Sequence, residues 1–265
     1  MEHPNNTEVA RTDKYMLAVP YISAYLKLKY PHIHTTGREN IPDGPAMFVA
    51  NHIRLDDSLI IAAAYAHYMK RPIRIGAKSE YFEGLGINNK GLLGKPIQNF
   101  VNATQQIPVY RSDSMRGAVT LGKEIKHRFS IGESILLHAE GTRSIDGRLN
   151  KFQHGAAGFA IKYSVPLVPT SITYLRKGLI TVPQLQFGEP LNPQDYGMDF
   201  PHYQLLPNGI VDALAPHIMK QSERIAAVTA IAEQRVADMS HQVQSGILID
   251  PYEKYLVAES KNTTG

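Results

Sequence analysis

The residues best suited to chemistry sit in one run, Ala50-Asn51-His52-Ile53-Arg54-Leu55-Asp56-Asp57-Ser58. A neutral imidazole takes up a proton near neutral pH, and a carboxylate that binds one ring nitrogen leaves the other facing outward as a base. Residues spaced like His52 and Asp57 diverge by roughly 140° on a continuous helix and would not share a face. The pair meets only if His52 lies in a turn before a helix and Asp57 in or beside its first turn. The flanks suit that arrangement. Met47-Phe48-Val49-Ala50 reads as a strand, and the apolar segment 59–66 reads as a buried helix. The same residues also fit a purely structural role, with Asp56 or Asp57 as an N-cap and His52 as a hydrogen-bonded histidine at a strand end.

Two further polar clusters fall at the ends of predicted strands, where open α/β sheets place their ligand crevices. Arg111 follows Ile107-Pro108-Val109-Tyr110, and Glu140-Gly141-Thr142-Arg143-Ser144 follows Ile135-Leu136-Leu137-His138-Ala139. Gly141 permits a tight turn, the two guanidiniums can fork onto a phosphate or carboxylate, and Thr142 and Ser144 add hydroxyl donors. Lys78, at the end of another predicted strand, is a secondary candidate for the same pocket. Either arginine, taken singly, also fits a solvated loop charge.

The elements that must position them follow from hydrophobic period. Strands are predicted over 47–50, 73–77, 107–110, 134–139, 167–174 and 185–187, alternating with helices over 59–66, 115–129 and 155–163. That alternation predicts an α/β fold with a single mixed, largely parallel sheet flanked by helices. Segment 15–30 reads as an amphipathic helix with a stripe at Tyr15, Val19, Ile22 and Leu26, which Pro20 would kink or shorten. It packs on the core of the domain or lies on a bilayer, with its tyrosines and lysines at headgroup level. The tail over 209–243 reads as two helices broken at Pro216. The expected organisation is an N-terminal tail and membrane-facing helix (1–36), a catalytic domain (37–199) and a C-terminal helical extension (200–265).

Composition removes several function classes. With 43% hydrophobic and 20% charged residues among 265, the chain has ordinary globular material. It has no cysteine, which excludes disulfides, thiolate catalysis and cysteine-ligated zinc. A net charge of +4 and the absence of tryptophan provide neither a dense basic patch nor a base-stacking platform, so nucleic acid is not an expected partner. Segment 1–14 lacks the apolar stretch of a secretory signal, and no apolar run reaches the ~18 residues of a spanning helix. Gly117-x4-Gly122-Lys123 is followed by Glu124 rather than Ser or Thr and lies in a helical pattern, so it is not read as a P-loop. No second histidine stands at ligand spacing from His52, so no metal is expected there.

Four blocks taken in order resemble the glycerolipid acyltransferase family, whose best-known branch is the lysophosphatidic acid acyltransferases. They are Asn51-His52-x4-Asp57, Ile107-Pro108-Val109-Tyr110-Arg111, Glu140-Gly141-Thr142-Arg143-Ser144 and Val165-Pro166-Leu167-Val168-Pro169. The lead-in over 37–45 and Lys151-Phe152-x2-Gly155-Ala156-Ala157 share that family's spacing. The resemblance implies a cofactor-free O-acyltransferase. In it His52 is the general base, Asp57 orients it, and Arg111, Glu140, Gly141, Thr142, Arg143 and Lys78 bind substrate, with Glu140 orienting Arg143 or a hydroxyl. It implies acyl-CoA or acyl-carrier protein as donor, a lysophospholipid as acceptor, and a peripheral place on the cytoplasmic side of a membrane. Other hydroxylated lipids, such as a lyso-aminolipid or glycolipid, remain alternative acceptors, and a non-catalytic lipid-surface protein is the rival class. Two positions depart from the family pattern. Arg54 stands where Ser or Thr is common, and His138-Ala139 stands where Phe-Pro is usual; the second change is expected only to reshape a strand end.

Overall fold

The computed structural model describes residues 14–86, 93–110, 114–144, 146–196, 202–205, 211–214 and 221–242. After helix α1 (Lys14–Lys29) come β1 (His34–Thr36), β2 (Met47–Ala50), α2 (Asp57–Met69), β3 (Ile73–Lys78), α3 (Ser79–Phe82), α4 (Gly94–Ala103) and β4 (Ile107–Val109). Then follow α5 (Ser114–Ser130), β5 (Ser134–His138), α6 (Gly155–Tyr163), β6 (Leu167–Lys177), β7 (Ile180–Phe187), β8 (His202–Leu205), β9 (Val211–Leu214) and α7 (Gln221–Ser240).

Seven strands form one mixed sheet in the order β1-β7-β6-β2-β5-β3-β4, parallel throughout except where β6 turns back into β7. β2 lies at its centre, with Ala50 level with His138 of β5 and Thr170 of β6. Every side chain of β2 is buried, as a central parallel strand covered on both faces requires. Its alternate residues feed two cores. Phe48 and Ala50 pack with Tyr15, Leu26, Ile60 and Tyr65 from α1 and α2, while Met47 and Val49 pack with Ile125, Ala160 and Val236 from α5, α6 and α7. The result is a three-layer α/β/α domain in which the C-terminal ends of β2, β3, β4, β5 and β6 share one edge.

Several elements differ from the sequence expectation. β1 and α4 are additional, and β6 and β7 run on to meet in a hairpin whose turn is Gly178-Leu179. The tail contains the antiparallel pair β8–β9 and a single helix, α7, rather than two helices; Pro216 lies outside the described residues. Pro20 sits inside α1 at an exposed position and does not end it. The Gly117-to-Lys123 run lies within α5 rather than in a loop before it.

Candidate active site

The chain leaves β2 at Ala50, turns through Asn51 to Asp56, and enters α2 at Asp57. Asn51 fixes the start of that turn. Its amide donates to Ile172 O at 2.9 Å and to Gln242 Oε1 at 2.7 Å, and its Oδ1 accepts from Ile172 N–H at 2.8 Å. Asp57 fixes the end. The Asp57 Oδ2 atom accepts from Ile53 N–H at 2.6 Å and Arg54 N–H at 2.7 Å, so the carboxylate caps the turn before the helix rather than the helix itself. Asp56, the residue at the N-cap position, makes no capping bond and instead pairs with Lys29 Nζ at 2.9 Å.

Within this frame His52 Nδ1 lies 3.0 Å from Asp57 Oδ2. A carboxylate only accepts, so the proton is on Nδ1 and the Nε2 lone pair is left for a base. Tyr174 on β6 donates its hydroxyl to the other carboxylate oxygen, Oδ1. Asp57 is fully buried, yet four donors surround it. Burial alone would raise its carboxyl, but the His52 hydrogen bond and charge, then His138 and the Tyr174 hydroxyl, outweigh it and hold Asp57 below its ordinary value.

The loop after β5 closes on the same turn. Glu140 Oε1 accepts from His52 N–H at 2.6 Å and Oε2 from Asn150 N–H at 2.9 Å, while Ser144 N–H donates to His52 O at 2.7 Å. Glu140 therefore orients the backbone of His52, not Arg143 or a hydroxyl as expected. Burial pushes its carboxyl up to about 7, against the pull of those two N–H donors. Gly141 makes the turn with φ of 68°, and a Cβ there would stand 2.5 Å from Gln153 Nε2. Thr142 and Arg143 follow, both half-buried. Lys78 ends β3 on this edge with its ammonium 3.9 Å from Glu80 Oε1. Arg111 lies outside the described residues.

His138 is more than a reshaped strand end. Its ring stacks on His52, donates from Nδ1 to Asn51 O at 2.8 Å and accepts at Nε2 from the Ser58 hydroxyl at 2.7 Å. Arg54, the other departure, is exposed and places its guanidinium carbon 4.1 Å from the centre of the Tyr174 ring. Tyr174 and the roles of His138 and Asn51 were not evident in the sequence. The His52–Asn51 adjacency and the non-family His138 were the only local signals.

The assembled geometry is an imidazole oriented by a buried carboxylate, on the sheet edge that also carries Thr142 and Arg143. Residues 32–173 match the family model described as Acyltransferase. The chain is 29% identical over 148 residues to the chloroplastic 1-acyl-sn-glycerol-3-phosphate acyltransferase of Brassica napus, covering 54% of this chain and 38% of that one. A similar match, 29% over 143 residues, covers 53% of this chain and 35% of the chloroplastic 1-acyl-sn-glycerol-3-phosphate acyltransferase of Arabidopsis thaliana. The chain thus spans well under half the length of these curated relatives. In fold it is similar to the crystal structure of the 1-acyl-sn-glycerophosphate acyltransferase PlsC from Thermotoga maritima, with a TM-score of 0.52 at 20% identity, covering 85% of this chain and 79% of that one.

Proposed function

Because the chain belongs to the acyltransferase family, we propose that it moves a fatty acyl group from acyl-CoA or acyl-carrier protein to the free hydroxyl of a lysophospholipid, 1-acyl-glycerol-3-phosphate foremost. The observation that carries this is the His52 Nδ1 to Asp57 Oδ2 contact at 3.0 Å, which frees Nε2. His52 Nε2 takes the acceptor's hydroxyl proton as that oxygen attacks the thioester carbonyl. The new C–O ester bond forms, the C–S bond breaks, and the proton passes from the imidazolium to the departing thiolate. Asp57 steadies the imidazolium without accepting its proton. A base so placed is worth ~10²–10⁴ in rate. No acyl-enzyme and no cofactor enters this scheme. Thr142 and Arg143, with Lys78 and Arg111 from neighbouring strand ends, meet the acceptor's phosphate; Glu140 holds the base through its backbone.

The place of work in this reading is a bilayer surface, on the cytoplasmic side. No helix among the described residues is long and apolar enough to cross a membrane. Helix α1, however, is apolar on two faces. Tyr15, Ile22 and Leu26 are buried, while Leu17, Tyr21, Tyr25 and Leu28 form an outer stripe in which Tyr21 is 79% and Leu28 88% exposed. An amphipathic helix on its own core would carry a polar outer face, so the outer stripe supports an interfacial helix.

The test is thiol release from acyl-CoA by the purified chain, with and without lysophosphatidic acid, beside a His52→Ala variant. Release that requires the acceptor and falls at least ~10²-fold in the variant bears the proposal out. Acceptor-independent release would mean a thioesterase, and transfer that survives His52→Ala would remove His52 as the base. The exposed Arg54 guanidinium beside the pair can meet any anionic headgroup, so a second reading is another hydroxylated lipid that carries an anion, such as a lyso-aminolipid; the same assay with that acceptor distinguishes the two.

A further inference from the structure

The hairpin that joins β6 to β7 has a composition that folding does not explain. Its tip residue Leu179 is 98% exposed, and Leu175 and Ile180 are 48% and 45% exposed. The turn is two residues long, with Gly178 at φ of 62° in its first place and Leu179 in its second. Such turns favour Gly, Asn, Asp and Ser, and a leucine that touches nothing adds nothing to the core. The pairing of Leu175 with Val182 and of Lys177 with Ile180 sets Leu175 and Ile180 on one face of the ribbon, with the Leu179 tip beyond them. Arg176 and Lys177 are basic, and no acidic residue occurs over 174–187.

The hairpin is also fixed relative to the site. Thr170 of β6 is level with Ala50, the last residue of β2. From there to the turn at Lys177, at ~3.3 Å per residue, the strand travels roughly 20 Å past the end of β2. Tyr174, part-way along, holds Asp57 through its hydroxyl, and its ring lies 6.0 Å from that of Tyr30 just beyond α1. The hairpin tip and the C-terminal end of α1 therefore flank one rim of the His52 site.

We propose that the tip of the β6–β7 hairpin is a bilayer-docking element, inserting Leu179 with Leu175 and Ile180 into an anionic lipid surface and holding the mouth of the His52 site against it. The proposal rests on the lipid-acyltransferase reading for its purpose but not for its test. A bilayer fits better than a protein partner for two reasons. The protruding apolar group is small and flanked along 174–187 by positive charge only, as an anionic headgroup layer favours. In addition, the acceptor's hydroxyl lies at the level of such a layer, next to which the site must stand.

Binding of the full chain to vesicles of phosphatidylcholine and phosphatidylglycerol in equal parts, read by sedimentation, tests it. Leu179→Asp is expected to weaken binding about tenfold or more. Arg176→Gln is expected to weaken it about fivefold on these vesicles and to leave the residual binding to pure phosphatidylcholine unchanged. Ile131→Asp, an equally charged change at an exposed apolar residue beside the N-terminal end of β5, is expected to bind as the parent does. Equal binding by the parent and Leu179→Asp overturns the proposal. So does a Leu179→Asp variant that binds vesicles normally but loses self-association, which would make the tip a contact between copies. Because vesicle binding is read without turnover, a chain that proves silent toward lysophosphatidic acid overturns the reaction and leaves the docking result standing on its own.

Discussion

The rings of His52 and His138 lie face to face, their centroids 4.0 Å apart and their planes 15° from parallel. Both nitrogens of His138 are engaged, Nδ1–H by the Asn51 carbonyl and Nε2 by the Ser58 hydroxyl, which defines a neutral ring in one tautomer. Burial and then the neighbouring His52 push its pKa down to about 3, so the ring stays neutral beside His52 near neutral pH. It covers one face of the His52 ring while Asp57 holds one edge. His138→Ala is expected to lower kcat about tenfold with KM nearly unchanged, since orientation is lost and substrate contacts are not. His138→Phe retains the ring and is expected to recover most of that loss. An unchanged kcat in the alanine variant would assign the stack to packing alone.

His138 and Glu140 give stability opposite pH slopes. The folded pKa of His138 is depressed from 6.5 to about 3, so its contribution is complete above 6.5 and is lost progressively as pH falls toward 3. The folded pKa of Glu140 is raised from 4.5 to about 7, so its contribution is complete below 4.5 and is lost as pH rises through 7. Urea midpoints measured across this range are expected to fall on both sides of a plateau. His138→Phe is expected to flatten the acid side. Glu140→Gln is expected to flatten the neutral side while lowering the whole curve by about 1–3 kcal/mol, because an amide cannot accept from both His52 N–H and Asn150 N–H.

The strand–turn–helix from Met47 to Met69 was legible because its signals are local. A buried apolar strand, a polar turn and a second apolar run fix where His52 and Asp57 must lie for the pair to meet. The order of motifs likewise located the loop after β5. Contacts made across the fold were not legible. Tyr174 reaches Asp57 over a separation of 117 residues, and nothing near Tyr174 announces it. Glu140 was visible as a site residue, but its partners are backbone N–H groups that have no sequence signature. The tail misled for a different reason. The alanine-rich pattern of the tail predicts helix over 211–214, where strand pairing with β8 prevails over propensity.

Tyr174→Phe is expected to leave Asp57 Oδ1 buried without its donor. Tyr174 is itself driven far above its ordinary range, by burial and then by Asp57, so it donates at every working pH. Removing the hydroxyl is expected to cost about 1–3 kcal/mol of stability. It also leaves a more basic carboxylate against His52 Nδ1, so the acid limb of the pH–rate profile is expected to move to higher pH. A thermal melt and a kcat/KM profile across the acid range read the two effects separately. A lowered melt with an unmoved limb would confine Tyr174 to a packing role.

Arg54 permits a cleaner separation, because its two contributions belong to different atoms. Its backbone N–H binds Asp57 Oδ2 at 2.7 Å, and any residue except proline supplies that donor. Its guanidinium lies over the Tyr174 ring, exposed, with no carboxylate in ion-pair range among the described residues. Arg54→Ser therefore keeps the turn and the His52–Asp57 pair and removes only the cation. With a phosphate-bearing acceptor, KM is expected to rise about threefold to tenfold at nearly constant kcat, the range for one exposed charge-assisted contact. With monoacylglycerol, which carries no anion, KM is expected to stay put. Equal changes with both acceptors would show that the side chain acts through Tyr174 on the pair itself, and a fall in kcat with either would place it in the orientation of the base.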